Sequence, residues 1–176
     1  MPTLIVEDGS GVENANTYID VAYLTSFASD RGYTISTVQL VQEQQILKAM
    51  DYLFWFADQW QGVKTNASNA LHWPRRYVSL DCAEFPSNSI PTQLKNAQAQ
   101  LVVEQQAKTL LWPKPRTSTI EGLVQEKTVG PLTKKFAFTG RGIANANAPI
   151  KIMSVSIFLD ALLSNSKTMY TKTVRV

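Results

Sequence analysis

The sequence holds one cysteine, Cys82, and one histidine, His72, among 176 residues. One cysteine excludes an intramolecular disulfide framework, and the pair is too small a ligand set for a structural zinc site within one chain. Charge is sparse as well, with Asp, Glu, Lys and Arg at 18% of the chain. No apolar run approaches the roughly 20 residues that a membrane helix needs, so no membrane association is expected. Met1 to Asp8 carries Glu7 and Asp8 and no basic stretch ahead of an apolar run. A signal peptide is therefore not expected, and synthesis in a reducing cytoplasm is.

The usual signatures of chemistry are missing too. There is no GxGxxG and no Walker phosphate loop, and Gly140-Arg141-Gly142 is too little for a nucleotide cradle. A Ser-His-Asp arrangement needs a histidine held by a carboxylate and facing a hydroxyl. His72 instead lies between Leu71 and Trp73 and reads as a packed loop histidine. Cys82 sits in Asp81-Cys82-Ala83-Glu84, where neighbouring carboxylates raise a thiol pKa rather than lower it. Glu7, Asp8 and Glu13 flank a glycine-rich loop without metal-ligand spacing and read as solvated loop acids. The expectation is no catalytic residue, no metal site and no cofactor.

What is present is apolar surface. Hydrophobic residues make up 44% and aromatics 10%, which excludes a wholly disordered chain and suits one globular domain with an arm. Charge is polarised along the chain. Residues 1–88 hold 5 Lys/Arg and 10 Asp/Glu, net −5, and residues 89–176 hold 12 and 4, net +8. Such a chain suits a polyanion at its basic half, head-to-tail contact between copies, or simply solvated lysines that cluster late in the sequence.

The patterning predicts mainly α structure, a bundle of about four helices with a small β-hairpin and an extended C-terminal arm. Thr3 to Val6 reads as a short strand. Asp20 is placed to cap a helix over 21–30, with Val21, Leu24, Phe27 and Ala28 on one face. Ser36 and Gln39 form a capping-box pattern opening a second helix to about Trp60. Residues 61–90 are punctuated by Gly, Asn and Pro and read as irregular. Pro91 opens a third helix over 91–111, ended by Pro113 and Pro115. Two strands about Gly130-Pro131 predict a hairpin near 123–138. A fourth helix covers 151–163. The expected organisation is a helical domain over 1–164, with the hairpin inserted, and an arm over 165–176.

Single-strand binders combine basic grooves with aromatics on which bases stack. Trp73, Arg75, Arg76 and Tyr77 offer both types within five residues, and Trp112, Lys114 and Arg116 offer them again. Those residues are the candidate nucleic-acid contacts. The competing assignment puts Trp73 and Trp112 in the core.

Five segments carry a resemblance. They are Leu4-Ile5-Val6-Glu7-Asp8-Gly9-Ser10-Gly11 with Ala15 to Tyr18, then Ala49-Met50-Asp51-Tyr52-Leu53, then Ala70-Leu71-His72-Trp73-Pro74-Arg75. Ile90-Pro91 with Leu94 to Gln98, and Lys127 to Pro131, complete the series. In this order, over residues 4–131, they resemble a family of tailed bacteriophages and prophages. It is often labelled DnaT-like single-stranded-DNA-binding, and its members also look like head–tail adaptor (connector, or head-completion) proteins. The adaptor resemblance implies a non-enzymatic virion protein of the neck, made in the host cytoplasm. It would form a homo-oligomeric, dodecameric ring between the portal protein and a downstream neck or tail protein, with genomic DNA in the channel. The other label implies a single-stranded-DNA-binding protein of phage replication. Such rings typically dock a C-terminal arm on the portal. Here that arm would act through Lys167, Tyr170, Lys172, Val174, Arg175 and Val176, with main-chain hydrogen bonds adding a strand to a partner's sheet.

Overall fold

The computed structural model describes residues 2–109, 111–112, 126–129, 132–135 and 150–164. The chain divides into two compact units, Met1–Leu111 with Lys151–Val176, and Trp112–Ile150.

In the first unit, α1 spans Val21–Asp30 and begins where Asp20 Oδ1 accepts the Tyr23 N–H at 2.7 Å. Leu24, Phe27 and Ala28 face inward. The second helix, α2, spans Gln39–Phe54, shorter at both ends than its periodicity implied. Its N-cap is Val38, which makes no side-chain cap bond. Ser36 does not form a capping box. Its hydroxyl accepts the Val38 N–H, and its carbonyl takes the Gln42 amide at 2.6 Å. The shortened C-terminal end tightens through i→i+3 bonds from Trp55, Phe56, Ala57 and Gln59.

Four short strands occupy residues 63–84: β1 Val63–Lys64, β2 Arg75–Arg76, β3 Ser79–Leu80 and β4 Ala83–Glu84. β1 pairs antiparallel with β2, and β3 with β4. The β3–β4 link is a two-residue turn with Asp81 and Cys82 both left-handed, at φ 51° and 66°, the twist a tight hairpin requires. Gly62 is obligatory beside β2, because a Cβ there would lie 2.0 Å from the Arg76 carbonyl oxygen.

α3 spans Thr92–Gln106, with Pro91 as its N-cap and a left-handed Lys108 just past its end. α4 spans Met153–Leu159 and runs into a 3₁₀ turn, Asp160–Leu162. In the second unit, β5 (Glu126–Val129) and β6 (Leu132–Lys135) pair antiparallel, Glu126 opposite Lys135.

α3 is the hub, packing against α1, α2 and α4. Its Gln98 is fully buried yet well bonded. Oε1 accepts the Tyr18 N–H at 3.0 Å, and Nε2 donates to Thr17 Oγ1 at 2.8 Å and to the Ile46 carbonyl at 3.2 Å. Glu104 ties α3 to α4. Its carboxylate accepts from Ser154 Oγ at 2.6 Å and Thr109 Oγ1 at 2.9 Å, and the Ser154 bond above all holds its pKa below the ordinary value.

A four-helix bundle is not what the chain builds. Four α-helices stand beside three two-stranded antiparallel ladders among the described residues, a mixed architecture. The physical reason lies in the core. Tyr18, Ile19, Trp60, Leu71, Trp73, Val78 and Ile90 are all buried and come from non-helical segments. The helices close against these loops as well as against one another.

Candidate interaction surface

The aromatic–basic run at 73–77 separates into an inner and an outer part. Trp73 is wholly buried, its ring edge-on to Trp60 and to Phe85 at centroid distances of 6.2 Å each. Arg75 is buried as well. Its guanidinium is a clamp on three carbonyls, Nε to Gln61 at 2.6 Å, Nη2 to Gly62 at 2.7 Å and Nη1 to His72 at 3.2 Å. Burial pulls its pKa down. Neither side chain can meet a base or a phosphate, which corrects their place among the nucleic-acid contacts.

Arg76 and Tyr77 point the other way. Arg76 is exposed and donates Nη2 to the Thr65 carbonyl at 3.0 Å. Tyr77 is 73% exposed, with φ at 62°. Trp112 is 40% exposed.

His72 has the character expected of a packing residue. Its ring meets the Phe54 ring edge-on at 5.1 Å. Burial, then the Lys64 and Arg75 charges, lower its pKa from the ordinary 6.5. The unfolded chain therefore takes up this proton first as pH falls. The neutral ring's contribution to stability is complete above 6.5 and is lost as pH falls through the folded pKa. Urea-denaturation midpoints on either side of that value should show the drop, and His72→Gln should flatten it.

The N-terminal loop departs from expectation. Glu7 is not a solvated acid but is 1% exposed. Its Oε1 accepts the N–H groups of Gly9 and Gly11 at 2.8 and 2.9 Å. Gly9, at φ 112°, lies so close to Asn88 that a Cβ would sit 2.2 Å from that carbonyl oxygen. The Glu-x-Gly-x-Gly spacing was the visible signal for this folded-in carboxylate. Cys82 is an exposed free thiol in the β3–β4 turn.

Among the described residues, no three His, Cys, Asp or Glu side chains come together as metal ligands, and no helix is long and apolar enough to cross a membrane. An open depression of about 510 Å³ lies between Tyr33 to Ser36 and Val103, Gln106 and Ala107, with no acid, amine, imidazole or thiol in its walls.

α4 carries the feature that its inward stripe concealed. Val155, Ser156 and Leu159 are buried, yet Met153 and Ile157 on the outer side are 69% and 71% exposed. Further exposed apolar side chains lie at Val38 and Leu40, and at Phe54 and Trp55.

Residues 2–176 match the family described as "Putative DnaT-like ssDNA binding protein". The chain belongs to that family. No curated protein and no solved structure matches it. Of the residues considered for DNA contact in this DnaT-like family member, Arg76, Tyr77 and Trp112 are at the surface, and Trp73 and Arg75 are inside. Lys114 and Arg116 lie outside the described residues, as does the candidate arm with Lys167, Tyr170, Lys172, Val174, Arg175 and Val176.

Proposed function

We propose that this protein is a structural head–tail adaptor of a tailed phage virion. It works by contact rather than catalysis, without a cofactor, as a homo-oligomeric ring between the portal and the neck or tail. It is made in the host cytoplasm and resides in the virion. The basic segment 165–176 is the proposed portal anchor.

The observation that carries this reading is the outer face of α4. A helix apolar on both sides is normally a covered helix, and Met153 and Ile157 are uncovered in the isolated chain. A second uncovered pair, Val38 and Leu40, suits a subunit with more than one neighbour. The resemblance over residues 4–131 supplies the particular assembly, and the opposite net charges of the two halves suit a heterologous contact between copies.

Deleting the gene from its phage tests the proposal. The expected result is normal phage DNA synthesis with filled heads and free tails accumulating apart in electron micrographs. Arrested DNA synthesis with no heads would overturn it.

A second reading, single-stranded-DNA binding, is favoured by the family's description and by the exposed pair Arg76 and Tyr77. Arrested DNA synthesis in the deletion would support it.

A further inference from the structure

We infer that the outer end of the β1–β2 ladder is a stacking platform for a base of single-stranded nucleic acid, with Tyr77 as the stacking ring and Arg76 as the phosphate contact. This inference rests on the second reading above and gives it a site.

The platform is built before any ligand arrives. Tyr77 follows β2 directly, and its φ of 62° puts a bulky side chain in the left-handed region, which L-residues other than glycine, asparagine and aspartate seldom adopt. Residues held in such conformations persist where their surroundings over-determine them. Here the determinants are visible on both sides. Behind Tyr77, the Arg75 guanidinium grips the carbonyls of Gln61 and Gly62. Gly62 lets the Arg76 carbonyl approach where any side chain would collide. Arg76 Nη2 secures the Thr65 carbonyl across the ladder. After Tyr77, Val78 is buried and its carbonyl accepts the Phe85 N–H at 2.8 Å. The chain is thus anchored on either side of one residue, and that residue is 73% exposed. A glycine would satisfy the same backbone without strain, so the ring is not there for the turn.

Its surroundings indicate the ligand. Opposite Arg76 in the ladder is Val63, 52% exposed, and opposite Arg75 is Lys64. Lys64 uses its ammonium on the Asn69 carbonyl at 2.8 Å. An exposed aromatic residue next in the chain to an exposed arginine, with the exposed Val63 paired opposite that arginine, offers the two group types that a nucleobase and its adjacent phosphate need. Stacking of this kind tolerates any base sequence. The acids Asp81 and Glu84 belong to the next hairpin, β3–β4, Asp81 in its turn and Glu84 on β4, and Arg76 is the exposed cation of the β1–β2 ladder. Duplex DNA keeps its base faces stacked away from such a ring, which makes a single strand the ligand.

The test uses the full chain and a fluorescein-labelled oligothymidine, read by anisotropy across a salt series. Wild type should bind, with affinity falling steeply as salt rises. Tyr77→Gly keeps the backbone conformation and removes the ring, and affinity should drop about tenfold or more, the scale of one lost stack. Tyr77→Phe should restore binding. Arg76→Gln should lower the salt slope by about one ion. Circular dichroism and urea midpoints verify that each variant is folded. If wild type binds and the folded Tyr77→Gly protein binds equally well, the platform is wrong while DNA binding stands. If wild type does not bind at low salt, the single-stranded-DNA reading falls and the platform with it. If Tyr77→Gly leaves DNA binding intact but blocks incorporation into phage particles, the ring contacts a protein and the inference is overturned.

Discussion

A Trp73→Ala chain is expected to lose about 3–5 kcal/mol of stability, the range for deleting a large buried aromatic. Trp73 is wholly buried, and two rings, Trp60 and Phe85, close on it edge-first. Its backbone N–H, which the substitution keeps, donates to Tyr18 Oη at 3.2 Å, and burial has pushed that phenol's pKa well above its ordinary range. Removing the indole therefore opens a cavity at the junction of the N-terminal loop, the end of α2 and the strand region. A loss of this size approaches the whole stability of many domains. Urea denaturation followed by tryptophan-independent far-ultraviolet circular dichroism measures it, and a loss below about 0.5 kcal/mol would place Trp73 at the surface. One consequence concerns DNA binding. Replacing Trp73 together with Arg75 removes a core ring and frees three clamped carbonyls, so loss of binding in that double variant would report unfolding. Tyr77 and Arg76 are the positions where binding and folding separate.

Leu101→Ala should cost about 2–5 kcal/mol, toward the upper end of that range. Leu101 is fully buried in α3, the helix against which α1, α2 and α4 all pack. With neighbours on several sides held by their own contacts, the cavity has little room to collapse, and the penalty rises with residual cavity volume. Leu53→Ala makes the comparison informative. Leu53 is equally well buried but lies one residue before the end of α2, where the chain continues through i→i+3 turns. That end can move inward, so its loss should fall in the lower part of the same range. Equal chemistry with unequal cost, read from two urea curves, would confirm α3 as the rigid centre. The reverse order would place that centre at the end of α2.

Some of this was legible in the residues themselves. Periodicity located all four helices, because a helix that buries one face must repeat its apolar residues at three and four. Asp20 announced the start of α1, because its carboxylate reaches an N–H three residues on without any tertiary help. The dipeptide Gly130-Pro131 marked in the sequence where one strand of the β5–β6 pair ends and the other begins, for a similarly local reason. Family membership was legible as well, since five short segments in order are a property of the string. Other features depended on partners distant in the chain. β1 and β2 are two residues long, too short for alternation to register, and exist because Gly62 and the Arg75 clamp bring residues 61–65 against 74–76. Bundle or mixed fold was likewise undecided locally, because Tyr18, Trp73 and Val78 reach the core from loops whose burial no period encodes. Glu7 looked like a surface acid until the N–H groups of Gly9 and Gly11 gave its carboxylate partners inside the fold. The candidate site shows the division most sharply. Trp73, Arg75, Arg76 and Tyr77 form one aromatic–basic run in sequence. A φ of 62° at Tyr77 and three carbonyls around Arg75 turn two of them inward and two outward. Residue type told what each side chain could bind; only the tertiary structure decided which of them faces anything to bind, because burial depends on what packs above a residue and not on its neighbours in the chain.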